Sequence, residues 1–115
     1  MRECKIDQST EDGVCLIRLD GALDAYSFPN FESALNDLRE DENNRIIIDC
    51  EGLEYISSVA IGAMLGFTRK ARESGGDMVL VNLAPKVHHV IELLGFNRFL
   101  GIHEDIAAGR QALKG

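Results

Sequence analysis

The sequence predicts an α/β domain, and three observations lead to that class. Apolar residues change period along the chain, from strand-like runs to helical spacing and back. The two kinds of segment alternate, and glycine or proline marks most of the changes. Strands separated by helices of this length require right-handed crossovers, which yields a mostly parallel sheet with helices packed on it. The 115 residues form a single domain, residues 1–115, since domains typically hold roughly 100 to 150 residues.

The elements follow in order. Val14-Cys15-Leu16-Ile17-Arg18-Leu19 is aliphatic and β-branched and follows a Glu-Asp-Gly turn signal at 11–13, so it reads as a strand. Residues 5–9 before the turn pair with it as a hairpin, and Gly21 is expected to end it. From Phe28 the period becomes helical through Phe31, Ala34, Leu35 and Leu38, with Ser27 as N-cap and Pro29 in the first turn, giving a helix over 28–40. Residues 40–44 form a polar loop, and Arg45-Ile46-Ile47-Ile48-Asp49 is the short continuous apolar run of a strand covered on both faces. Ile61, Leu65, Thr68 and Arg72 predict a helix over 58–74, closed at Gly75-Gly76. Met78–Val81 is the next strand, Pro85 starts a helix through Leu94 that Gly95 ends, and Leu100–Ile102 and Asp105–Leu113 supply a last short strand and helix.

Composition excludes several function classes. A hydrophobic fraction of 45% with 27% charged residues belongs to a globular chain rather than a disordered one. The longest apolar stretch, Val59–Phe67, spans nine residues, far short of the ~20 needed to cross a bilayer. The opening residues show no signal peptide, so the expected location is the cytoplasm. Cys4, Cys15 and Cys50 match no zinc or CxxC spacing and read as small buried hydrophobes. A net charge of −7 argues against nucleic-acid binding, which depends on neutralising phosphates. The charge is uneven: residues 1–58 carry 14 acids and 5 bases, whereas residues 59–115 carry 5 acids and 7 bases. An acidic face suits a basic partner, although the same charges also serve solubility.

In open parallel sheets, sites collect at the carboxyl ends of strands. Two loops qualify, residues 21–27 and 52–58, and if their strands are neighbours Asp24, Tyr26, Ser57 and Ser58 converge on one edge. Serine is a strong N-cap, which accounts for one of Ser57 and Ser58 but not both. No acid occupies the first turn of the following helix. Such an N-terminus accepts a phosphate, as ligand or as modification. The histidines supply no persuasive base for a hydrolase: His88 and His89 point in different directions on one helix, one half-buried and one exposed, His103 is near the end, and there is no Gly-x-Ser-x-Gly elbow. Gly62, Ala63 and Gly66 read as small residues allowing close packing on the sheet rather than as a phosphate cradle. No metal site, cofactor or enzymatic activity is expected.

The run Tyr55-Ile56-Ser57-Ser58-Val59-Ala60-Ile61-Gly62-Ala63-Met64-Leu65-Gly66 resembles the phosphorylation-site segment of bacterial anti-sigma factor antagonists, the STAS domain family, whose usual form there is Asp-Ser-Ser-Gly-Leu-Gly. Gly21–Asp24, Ile46–Asp49, Gly75–Leu80 and Pro85–Phe96 agree in order and spacing, so the resemblance covers essentially the whole chain. It implies a mixed, mostly parallel sheet of about five strands with about four helices. It places the phosphorylatable serine on Ser58, with Ser57 as the alternative, and puts Ser57, Val59 and Ala60 where the family has Asp, Ser and Gly. In the family, the unmodified antagonist binds a serine kinase that also acts as the anti-sigma factor, phosphorylation breaks that complex, and a PP2C-type phosphatase restores it. The implied function is therefore partner switching in transcription regulation, with Asp24, Tyr26, Ser57, Ser58 and Val59 as the docking patch. The alternative is a STAS subunit that docks without phosphorylation in another assembly, such as a lipid-transport ATPase complex.

Overall fold

In the computed structural model, which describes residues 3–114, five strands form one sheet in the order β1-β2-β3-β4-β5. The strands are β1 (Lys5–Glu11), β2 (Val14–Leu23), β3 (Arg45–Ile56), β4 (Asp77–Val81) and β5 (Gly101–His103). The first pair is an antiparallel hairpin and all other pairs are parallel, so the sheet is mixed and mostly parallel. Four helices connect or follow the strands: α1 (Phe28–Glu40), α2 (Ser58–Glu73), α3 (Pro85–Leu93) and α4 (Ile106–Leu113). A 3-10 turn at Phe96–Arg98 leads into β5.

Alternation along β3 explains the two-sided core. Ile46, Ile48 and Cys50 face the side carrying Phe31 and Leu35 of α1, Ile61 and Met64 of α2, and Val87 and Ile91 of α3. Ile47 faces the opposite side, where Leu113 and Ile106 of α4 cover it together with Val79 and Val81. Each such fully buried Leu, Ile or Phe contributes about 1.5–3 kcal/mol over leaving it in water. Asp49 also lies on the α4 side and is buried. Its carboxylate is partnered by Arg18 Nε of β2 at 3.4 Å and by the side-chain amide of Asn82, just past β4, which donates at 3.0 Å. All three cysteines are buried and free.

Several boundaries differ from the sequence expectation. Gly21 does not end its strand; β2 continues to Leu23. The reason for glycine is close approach, since at φ +121° a Cβ there would collide with the Glu3 carbonyl oxygen. Residues 52–56, expected as loop, are the last part of β3, which pairs with β2 through a register shift near Asp20 and Gly52. Such bulges bend a strand and break a simple alternating pattern. The Ser27 hydroxyl makes no cap bond to α1. On α2 the buried stripe is Ala60, Ile61, Met64, Thr68 and Ala71, so Arg72 is instead exposed and pairs with Asp77 at 3.0 Å. Gly62 and Gly66 are not packing residues: both are exposed, with nothing within 4 Å of where a Cβ would stand.

Candidate functional site

Parallel pairing of β2 with β3 brings their carboxyl ends together, with Ala22 opposite Tyr55 and Leu23 opposite Ile56. The Ser57 amide then donates to the Leu23 carbonyl at 2.9 Å, tying the two strand-to-helix connections into one edge. The expected convergence of residues 24–27 with 57–58 is therefore present.

Within the first connection, Asp24 is occupied by its own turn. Its Oδ1 accepts from the Tyr26 and Ser27 amides, each at 3.0 Å. These bonds, first of all that from the Ser27 amide, hold the Asp24 carboxyl below the ordinary aspartate pKa. The Ser27 hydroxyl donates to the Ala22 carbonyl at 2.7 Å and accepts from the Asp24 amide at 3.1 Å. Ser27 is thus the N-cap residue of α1 by position, as expected, but its hydroxyl braces the turn instead of bonding the helix. With both neighbours fixed, Tyr26 is held outward and is 86% exposed.

Within the second connection, the two serines divide. Ser57 is the N-cap of α2, in extended conformation, and its hydroxyl oxygen accepts from the Ala60 amide at 3.2 Å. Ser58 is the first helical residue and is exposed, and its side chain forms no hydrogen bond among the described residues. The first turn of α2 contains no acid. Beside Ser58, Val59 is 61% and Tyr55 42% exposed. Tyr55 was not singled out in the sequence because residues 52–58 looked like a loop. The aromatic and aliphatic content of Leu53-Glu54-Tyr55-Ile56 was the available signal that a strand continued.

The edge is an exposed, mixed polar and apolar surface rather than a cleft. A 650 Å³ cavity lies instead between the C-terminal ends of α1 and α2, lined by Leu35, Arg39, Phe67 and Lys70 among others. A 390 Å³ groove lies between β1 and α1. Neither is lined by residues of the edge. Of the histidines, His88 is half-buried and lies 3.8 Å from Glu92 one turn on, and His89 is exposed. Among the described residues, no three or more His, Cys, Asp or Glu side chains are grouped to hold a metal ion, and no helix is long and apolar enough to cross a membrane.

The chain is similar to the anti-sigma-B factor antagonist of Staphylococcus aureus (strain NCTC 8325 / PS 47), at 21% identity over 99 residues, 86% of this chain and 92% of that protein. Its fold is similar to that of a Thermotoga maritima crystal structure, with a TM-score of 0.88 at 20% identity over 96% of this chain and 95% of the other. It is also similar to that of the Bacillus cell fate determinant SpoIIAA in the phosphorylated form, with a TM-score of 0.72 at 20% identity over 94% and 99% of the two chains. The STAS domain family matches residues 5–109, spanning all five strands and the helices between them, and this chain belongs to that family.

Proposed function

We propose that this protein is an anti-sigma factor antagonist that docks on an anti-sigma factor of the serine-kinase class and is released by phosphorylation of Ser58. The observation that carries the reading is the division of labour at the start of α2. Ser57 takes the cap bond, and Ser58 is left exposed, its hydroxyl unbonded among the described residues, on the edge that also carries the exposed Tyr26, Tyr55 and Val59. Relatives named as anti-sigma factor antagonists support it, as does the capture of SpoIIAA in phosphorylated and unphosphorylated forms.

The physics of release is straightforward. Phosphorylation adds about −1.5 to −2 charge at neutral pH. It does so on an edge that already carries Asp24 and Glu54, at the end of a half-chain with nine more acids than bases. A partner whose contact desolvates Tyr26, Val59 and Ser58 must then desolvate a dianion or let go. Where the partner surface is itself acidic, repulsion adds to that cost. A PP2C-type phosphatase resets the switch.

Incubation with the cognate kinase and ATP, followed by mapping of the phosphate by mass spectrometry, is expected to find it on Ser58. Phosphate confined to Ser57, or absent from both serines, would overturn the switch. The second reading, a docking subunit that is never phosphorylated, is favoured by Ser57, Val59 and Ala60 standing where the family has Asp, Ser and Gly. It predicts that Ser58→Asp binds the partner as tightly as the wild type.

A further inference from the structure

β1 closes one side of the sheet, and among the described residues nothing pairs with its outer edge. Six of its seven residues are exposed and Ile6 is half-buried. Unpaired strand edges are templates for another strand, and charged side chains are the usual defence against that. Here the charges are Lys5, Asp7 and Glu11, and their effect depends on register.

We infer that β1 is a self-association edge, on which a second copy of this chain pairs antiparallel about a two-fold axis through Gln8. Side chains opposite one another in an antiparallel pair share a face, so a two-fold pairing must be centred on a residue. Centred on Gln8, all seven residues of β1 find partners: Lys5 meets Glu11 twice, Ile6 meets Thr10 twice, Asp7 meets Ser9 twice, and Gln8 meets itself. Moving the centre to Asp7 sets that carboxylate against its own copy. Moving it to Ser9 sets Asp7 against Glu11. Opposite charges across a strand pair stabilise it and like charges destabilise it, so this pattern selects the one register with full overlap.

The surroundings fit that occupant. Ile6 and Gln8 lie beside the 390 Å³ groove between β1 and α1, which also includes Asn30 and Ala34. A neighbouring β1 sets its Thr10 opposite Ile6 and so covers this half-buried apolar position. The product is a single sheet joining two five-stranded halves. Because the two-fold reverses strand direction, the carboxyl edges carrying Ser58 end up on opposite sides. Both therefore remain open to partners, and the inference is independent of the proposed switch.

One strand pair is a small interface, so a dissociation constant of about 10 μM to 1 mM is expected. The measurement is sedimentation velocity across that concentration range in about 0.15 M salt, which screens the −7 charge of each copy over distances beyond ~8 Å. Glu11→Lys and Lys5→Glu should each raise the dissociation constant about tenfold or more, and the double exchange should restore it to within about threefold. Arg110→Ala controls for the exposed Arg110–Glu11 contact at 3.7 Å and should change nothing. Thermal melts confirm that each variant folds. A wild type that stays monomeric at about 1 mM, or a double exchange that fails to recover, overturns the inference. So does a dimer that ignores Glu11→Lys but is lost in Leu93→Asp, which would place the contact on the exposed Val90 and Leu93 of α3 and the Leu94 that follows them.

Discussion

Replacing Ser57 and Ser58 one at a time should separate folding from regulation. The Ser57 hydroxyl oxygen accepts the Ala60 amide at 3.2 Å, the one side-chain cap bond of α2. Its loss in Ser57→Ala should cost about 1 kcal/mol. With an unfolding entropy of about 2.1 cal/mol/K per residue over 115 residues, that corresponds to a Tm lower by about 4 °C. Ser58 has no such bond, and alanine is the better helix former by a few tenths of a kcal/mol. Ser58→Ala should therefore leave Tm unchanged or raise it by about 1–2 °C. Ser58→Asp places a carboxylate at the positive end of the helix dipole and should be as stable as the wild type or more so. Titration with the partner kinase should order the variants differently: Ser57→Ala and Ser58→Ala bind, and Ser58→Asp binds much less. Stability and affinity then move apart at position 58, which capping alone cannot produce. A Tm drop of about 4 °C in Ser58→Ala with none in Ser57→Ala would refute the assignment of cap and switch.

Three further outcomes can be measured. Tyr26→Ala should weaken partner binding by more than about 1 kcal/mol, as truncated interface aromatics do, with an unchanged melt because the ring is exposed; equal losses of stability and affinity would place Tyr26 in the core. The folded pKa of Asp24 lies below its unfolded value, so the turn it braces is fully supported above the ordinary aspartate pKa of about 3.9 and loses that support as the pH falls through the lower folded value. Protection of the Tyr26 and Ser27 amides should accordingly persist from pH 7 to about 5, and loss across that range would contradict the lowered pKa. Burial raises the thiol pKa values of Cys4, Cys15 and Cys50, so native alkylation at mildly alkaline pH should be slow at all three and rapid once the chain is unfolded; fast native labelling of Cys50 would show that the core opens there.

Much of the fold was legible because its elements announce themselves locally. Ile46-Ile47-Ile48 could only be a strand covered on both faces, and the helical spacing of Phe31, Leu35 and Leu38 is the buried face of α1. The carboxyl edges were legible as the place where residues 24–27 and 57–58 meet, because parallel connectivity brings them together there. What stayed hidden depended on other parts of the chain. Gly21 looked like punctuation, and only the backbone of residue 3 lying against it shows why a strand contains glycine. The end of β3 was obscured by the register shift near Gly52, which also concealed Tyr55. Ser27 had the right identity and position for a cap, yet its hydroxyl oxygen accepts from the Asp24 amide rather than from α1. Which serine caps α2 was likewise a matter of geometry, since adjacent residues of one type carry no signal to tell them apart.

The open side of α2 bears on how a kinase could reach its substrate. Gly62 and Gly66 are exposed one turn apart. Each gives up about 1 kcal/mol of helix propensity relative to alanine. No packed neighbour compensates, so the first half of α2 is held by its buried side alone, through Ala60, Ile61 and Met64. Phosphoryl transfer requires a hydroxyl aligned in line with the γ-phosphate. For the proposed phosphorylation, a helix that opened its first turns at a fraction of the global unfolding free energy would deliver Ser58 in extended form while the sheet stays intact. Hydrogen exchange should find the amides of residues 61–65, the first with backbone acceptors in the helix, opening well below the global limit. Joint replacement of Gly62 and Gly66 by alanine should raise that opening energy and slow phosphorylation, even as it makes the protein more stable; phosphorylation at an unchanged or faster rate would show that the intact helix is the substrate.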